Sequence, residues 1–216
     1  MQKIVDIERK IGTEVSERTF FNLIGGFLGY GFIINMIMVA TLGDYARHIN
    51  MVIFLIAYFV SCFIGSVLIN KTDNAFVSFI GYNLLVLPIG LLLASALPDY
   101  NIKDISFAFF TTGLVTLGMI IISNIKPKVF RKMGTGLFVS LLLLILVECI
   151  FLLFGIHQGF TNYIACAIFT LYIGYDWVKA NDSYKSVGNS ILMAASLYLD
   201  IVNLFLRILN IKSSDD

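Results

Sequence analysis

Seven stretches of about twenty mostly apolar residues, separated by short polar connections, account for nearly the whole chain. They run approximately over Thr19–Leu42, Met51–Asn70, Ala75–Leu97, Asp104–Ser123, Thr135–Ile156, Phe160–Lys179 and Asn189–Ile211. A hydrocarbon core of about 30 Å is crossed by about 20 residues of helix. Lipid offers the backbone no hydrogen-bond partners, so only helices or closed barrels cross it. The alternating pattern of barrel strands is absent, which leaves a helical bundle. The expected fold is an all-α integral membrane protein of seven transmembrane helices. Only 13% of the residues are charged, where a soluble domain carries about 25%.

The domain plan that follows is simple. Residues 1–18 form a cytoplasmic N-terminal tail, in which Ile4, Ile7, Ile11 and Val15 recur at the spacing of a short amphipathic helix. Residues 19–211 form the membrane domain, and residues 212–216 a short polar C-terminal tail. The tail lacks the apolar core and cleavage site of a removable signal peptide. A net charge of +1 without a basic block argues against nucleic acid as a partner. Cys62, Cys149 and Cys166 all lie in apolar runs, without metal-ligand spacing or a disulfide pattern. They read as packing residues, and His48 and His157 as solvated ones.

Lysine and arginine set the orientation. Lys3, Arg9, Lys10, Arg18, Lys71, Lys126, Lys128, Arg131, Lys132, Lys179 and Lys185 would share one side, eleven in all. Arg47, Lys103, Arg207 and Lys212 would lie on the other. The expectation is an inner (plasma) membrane protein with its N-terminus in the cytoplasm and, after seven crossings, its C-terminus outside.

Within the last apolar run stands Asp200, in Leu197-Tyr198-Leu199-Asp200-Ile201-Val202-Asn203. Placing an aspartate at the centre of a membrane helix costs about 2.5–3.5 kcal/mol, so such residues mark pathways, relays or paired sites. At about 100° per residue, Ser196, Asn203 and Arg207 fall within about 60° of Asp200, and Asn189 about 20° from it. A lipid-facing helix would not gather its polar groups in one stripe. The last helix is therefore expected at the centre, wrapped by the other six. Asp176, one turn before Lys179 on the preceding helix, can meet Asp200 at similar depth because the two helices are antiparallel neighbours. Two carboxylates in a poorly solvated contact hold one proton between them and titrate as a unit. Protonated, the pair links two helices; deprotonated, it repels and attracts a divalent cation. A third acid, Glu148, lies deep in the fifth span with no basic residue within four positions. It reads either as a packed protonated acid or as a stepping-stone on an ion path with Ser196, Asn203 and Arg207. Pro88, with Gly81 and Gly90, marks a kink in the third span, with a gating hinge as the alternative.

Leu171-Tyr172-Ile173-Gly174-Tyr175-Asp176 and Ser196-Leu197-Tyr198-Leu199-Asp200-Ile201-Val202-Asn203-Leu204-Phe205 together resemble the transmembrane Bax inhibitor motif (Bax inhibitor-1) family, most of all its bacterial calcium-leak members of the YetJ type. The acidic ending Ser213-Ser214-Asp215-Asp216 is similar as well. The resemblance implies six helices around a C-terminal one and a pH-dependent leak of Ca²⁺ down its gradient. It implies that Asp176 and Asp200 are the hydrogen-bonded pH sensor and tentative Ca²⁺ ligands. Bacterial relatives carry latch arginines near the cytoplasmic end of the second helix; here Val67-Leu68-Ile69-Asn70-Lys71 leaves Lys71 as the candidate latch cation. The early second-helix acid of some relatives is missing too, with Glu148 the candidate to compensate.

The leading expectation is a pH-sensitive Ca²⁺ leak channel, not an enzyme. Its partners would be the lipid bilayer, Ca²⁺ and protons, with a monomer as the assembly and no cofactor. One alternative is a non-conducting membrane regulator of stress or cell-death type. Another is an intramembrane aspartyl protease: Tyr175-Asp176 matches half of that pattern, but Leu197-Tyr198-Leu199-Asp200 does not supply Gly-x-Gly-Asp. Thr41-Leu42-Gly43-Asp44 lacks the first glycine as well. A retinal protein needs a lysine at the centre of the last helix, and Lys212 is at its end.

Overall fold

The computed structural model describes residues 13–72, 74–155 and 159–214 (for Met51 and Val52 the backbone alone). Among them lie eight α-helices: α1 (Glu17–Arg47), α2 (Met51–Lys71), α3 (Ala75–Ala96), α4 (Ile102–Ile125), α5 (Pro127–Arg131), α6 (Gly134–Leu153), α7 (Gly159–Asp182) and α8 (Val187–Ser214). A 3₁₀ turn, Leu97–Asp99, follows α3. Helices α1, α3 and α4 begin with polar caps. Ser16 Oγ accepts from Thr19 N at 3.1 Å, Asn74 Oδ1 from Phe76 N at 2.9 Å and Asn101 Oδ1 from Lys103 N at 3.0 Å, each binding an N–H that the helix itself leaves unpaired.

Among the described residues, six helical stretches are long and apolar enough to cross a membrane: Glu17–Arg47, Ile53–Lys71, Ala75–Asp99, Ile102–Ile125, Gly134–Leu153 and Val187–Ser214. The sixth expected span is a helix too, α7, but it is not one of these. Thr161, Asn162, Asp176, Lys179, Asn181 and Asp182 dilute its apolar character. The connection after α4 is not a plain turn, because Pro127 opens the short helix α5, at the position where a missing N–H does no harm. Ile4, Ile7 and Ile11 of the expected N-terminal helix lie outside the described residues, as does His157. Val15 is not helical: its N–H donates to the Lys185 carbonyl at 2.9 Å, and Glu14 forms an antiparallel bridge with Ser186.

The chain divides into two compact units. One comprises residues 13–100 and Ser183–Tyr198, which takes in α1, α2, α3 and the start of α8. Here α3 packs against both α1 and α2. Gly65 and Gly81 face each other where α2 meets α3: a Cβ on Gly65 would stand 2.6 Å from the Gly81 carbonyl oxygen, so bare backbones set this approach. Pro88, inside α3, cannot donate to the Leu84 carbonyl four residues back. Ser61 Oγ of α2 donates to it instead, at 2.7 Å. Tyr82 is buried, its hydroxyl donating to the Phe27 carbonyl at 2.7 Å, and Asn35 hydrogen-bonds the Tyr198 hydroxyl.

The other unit comprises Asn101–Asp182 and residues 199–214, taking in α4 to α7 and the end of α8. Here α7 packs against α4, α5 and α6. Gly174 leaves room for Phe130 and Met119, and Gly134 for the Tyr175 ring. The outward faces of α2, α4 and α6 are apolar, with Phe59, Phe63, Phe109, Phe110, Leu146 and Leu153 exposed. Such surface suits lipid and is unsuited to water. By contrast 56% of the most apolar window of α8 is buried, against 11% in α2 and α6.

Candidate functional site

Asp176 on α7 and Asp200 on α8 belong to the same unit. Both are buried, with 6% and 7% of their surface exposed, and their side chains are hydrogen-bonded to each other. Carboxylates carry no donor when ionised, so this bond requires a proton on one of them. Gly174 positions Asp176: without a side chain of its own, it lets α7 approach Phe130 of α5 and Met119 of α4 two residues before the acid. Lys179, one turn further along α7, is close enough to attract Asp200 electrostatically, and Tyr172 lies within reach of both acids. The second oxygen of Asp200, Oδ2, is buried without a hydrogen-bond partner among the described residues. So are the hydroxyls of Thr112 and Thr116, one turn apart on α4 in the same unit. Oxygens left in this way are acceptors for water or a cation.

A second cluster is built from three helices. Arg207 of α8 grips Glu148 of α6 with a two-pronged ion pair, Nη1 to Oε1 at 2.6 Å and Nη2 to Oε2 at 2.8 Å. Nη1 also donates to Asn162 Oδ1 of α7 at 3.0 Å. The reading of Glu148 as a packed, protonated acid does not survive this geometry. A guanidinium forked on both oxygens matches the ionised carboxylate. The partner lies 59 residues away in sequence, beyond any search within one helix. Asn162 was not foreseen; it reads as an ordinary polar residue near the start of α7.

The remaining candidates are dispersed. Asn203 Nδ2 donates to the Leu199 carbonyl of its own helix at 2.8 Å, and Ser196 is half-buried on the portion of α8 assigned to the other unit. Lys71 is exposed in the last turn of α2, also in the other unit. Because α8 continues through Ser214, Lys212 lies on the helix, with Nζ 3.8 Å from Asp104 of α4. Among the described residues no three His, Cys, Asp or Glu side chains gather as a metal site would require. A Ca²⁺ ion takes 6–8 oxygens, which the two aspartates alone do not supply.

A family model described as "Inhibitor of apoptosis-promoting Bax1" matches residues 13–216. The chain belongs to this family. Its relatives include the uncharacterized protein YrjE of Lactococcus lactis, 30% identical over 142 residues, which is 62% of this chain and 59% of the relative. The uncharacterized protein Cj0236c of Campylobacter jejuni is 33% identical over 126 residues, 57% of this chain and 53% of that one. The match thus spans little more than half the length of either relative. Membership in the Bax1-inhibitor family joins the apolar helices in marking a multi-pass membrane protein.

Proposed function

We propose that this Bax1-inhibitor family member is a pH-sensitive leak for Ca²⁺, of the bacterial calcium-leak kind, gated by one proton shared between Asp176 and Asp200. The observation that carries the reading is the buried hydrogen bond between the two carboxyls. Such a bond joins α7 to α8 while the proton is present. Removing the proton leaves two like charges in contact, so the helices separate or a cation takes the proton's place. The orphaned oxygens of Asp200, Thr112 and Thr116 supply further acceptors for an ion that has shed part of its water.

In this reading α7 crosses the membrane as well, making seven spans, and its polar side chains are tolerated because they face protein or water. The burial of α8 supports its place as the helix the other six surround. The lysine and arginine bias puts the N-terminus in the cytoplasm and the C-terminus outside, in a plasma membrane. Asp176 then sits towards the cytoplasmic end of α7 and Asp200 near the middle of α8, with Lys179 a cation that acts on Asp200. The chemistry is transport, without catalysis or a cofactor.

The test is Ca²⁺ entry into dye-loaded liposomes between about pH 6 and 8. Wild-type flux should change across that range, and both Asp176→Asn and Asp200→Asn should flatten the response. A flux indifferent to pH and to both substitutions would sink the proposal.

The family description itself favours a second reading, a regulator that acts on a death-promoting protein. Its signature would be no flux at any pH together with a protein partner that stays bound through purification.

A further inference from the structure

The Glu148–Arg207–Asn162 cluster plays no part in the shared-proton switch, yet it shares an element with it. Arg207 and Asp200 lie on one stripe of α8, seven residues and about 10 Å apart along the axis. Glu148 is five residues from the end of α6 and Asn162 is in the first turn of α7, so the cluster stands where these two helices meet their connection. The ion pair is not sealed: the Arg207 side chain is 20% exposed and that of Glu148 16%. Charged atoms at this depth do not open onto lipid, so their accessible side faces water. A water-facing charge pair near one end of the polar stripe has the placement of a pore mouth.

We propose that Arg207 and Glu148 form a valence filter for the leak, an inference that rests on the leak reading above. Arg207 puts a fixed positive charge beside the route to Asp200. A divalent ion feels that charge twice as strongly as a monovalent one. Glu148, forked onto the guanidinium, cancels most of the repulsion and so sets the level of Ca²⁺ passage. Asn162 holds the guanidinium in register from the third helix. The selectivity of the open leak is therefore fixed by the balance within this one pair, while its pH dependence belongs to the aspartyl switch.

The opposite signs of two substitutions test this. Ca²⁺ and K⁺ fluxes are measured in liposomes for the wild type, Arg207→Gln and Glu148→Gln. Arg207→Gln releases a carboxylate and should raise the Ca²⁺ flux roughly four-fold and the Ca²⁺ to K⁺ ratio roughly two-fold or more, because a unit charge about 10 Å away in water acts twice as strongly on the divalent ion. Glu148→Gln bares the guanidinium and should lower the ratio by a similar factor. Arg207→Lys keeps the charge while losing the fork, so its ratio should stay at the wild-type value. A purely structural pin would instead make Arg207→Lys as defective as Arg207→Gln and leave the ratio unmoved. A wild type that leaks, with one ratio throughout the series, overturns the filter and leaves the leak standing. A wild type and an Arg207→Gln variant that are both silent at every pH overturn the two together.

Discussion

Arg131 and Asp182 show what a single well-made pair contributes. The guanidinium at the end of α5 donates from Nε to Oδ2 at 2.7 Å and from Nη2 to Oδ1 at 2.6 Å, tying α5 to the last turn of α7. The hydrogen bonds from Arg131 to Asp182 push the guanidinium's pKa above its usual value, so it stays charged at any working pH. The Asp182 side chain is only 8% exposed, which makes the bond a tether and not a surface ornament. Asp182→Asn keeps one acceptor and discards the charge. It should cost about 1–3 kcal/mol and lower the melting temperature in detergent by several degrees; an unchanged melting curve would contradict the tether. This pair was not legible in the sequence, because the two residues stand in separate connections that only the fold brings together. Asp176 and Asp200 were legible, since an acid in an apolar helix is conspicuous and the antiparallel neighbours bring the two together. Glu148 was legible as an oddity but not as an ion pair. The four-residue rule reaches only along its own helix, and its partner came from α8.

At the scale of the element, α3 shows how a hydrogen bond lost to proline is replaced from a neighbouring helix. Pro88 frees the Leu84 carbonyl, and Ser61 of α2 satisfies it at 2.7 Å. Pro88 itself was plain in the sequence; the hydrogen bond that makes good its missing donor was not, because it depends on which face of α2 meets α3. Gly81 and Gly90 have reasons of their own. Gly81 lets α3 approach Gly65 of α2, and Gly90 makes room for Asn35 and Met38 of α1. These are packing glycines, not loosening ones. A double-mutant cycle separates the roles. Ser61→Ala alone strands a carbonyl among apolar side chains and should cost about 1–3 kcal/mol. In a Pro88→Ala background the restored N–H serves Leu84 directly, so adding Ser61→Ala should cost under about 1 kcal/mol. Additive losses in thermal unfolding would show that the serine does not stand in for the missing donor.

For the molecule as a whole, the number of crossings turns on α7. Apolar length was legible in the sequence because a bilayer demands it of every span, and six of the seven expected segments are helices that meet that demand. The seventh carries Asp176, Lys179 and Asn162, the polar residues that the candidate sites use. The polar side chains that the proposed leak would use are also what weaken α7 as a hydropathy signal. Seven crossings place the chain's two ends on opposite sides of the membrane, whereas six return them to the same side. Reporters fused after residue 216 decide between these counts. A fused alkaline phosphatase is active only outside the cytoplasm, and a fused green fluorescent protein fluoresces only within it. The phosphatase fusion should be active and the fluorescent one dark, while a fluorescent protein placed before residue 1 should be bright. Bright fluorescence at both ends would mean that α7 does not cross. The antiparallel pairing that brings Asp176 to Asp200 would then have to be built at the membrane surface, where water would strip the shared proton of its special position.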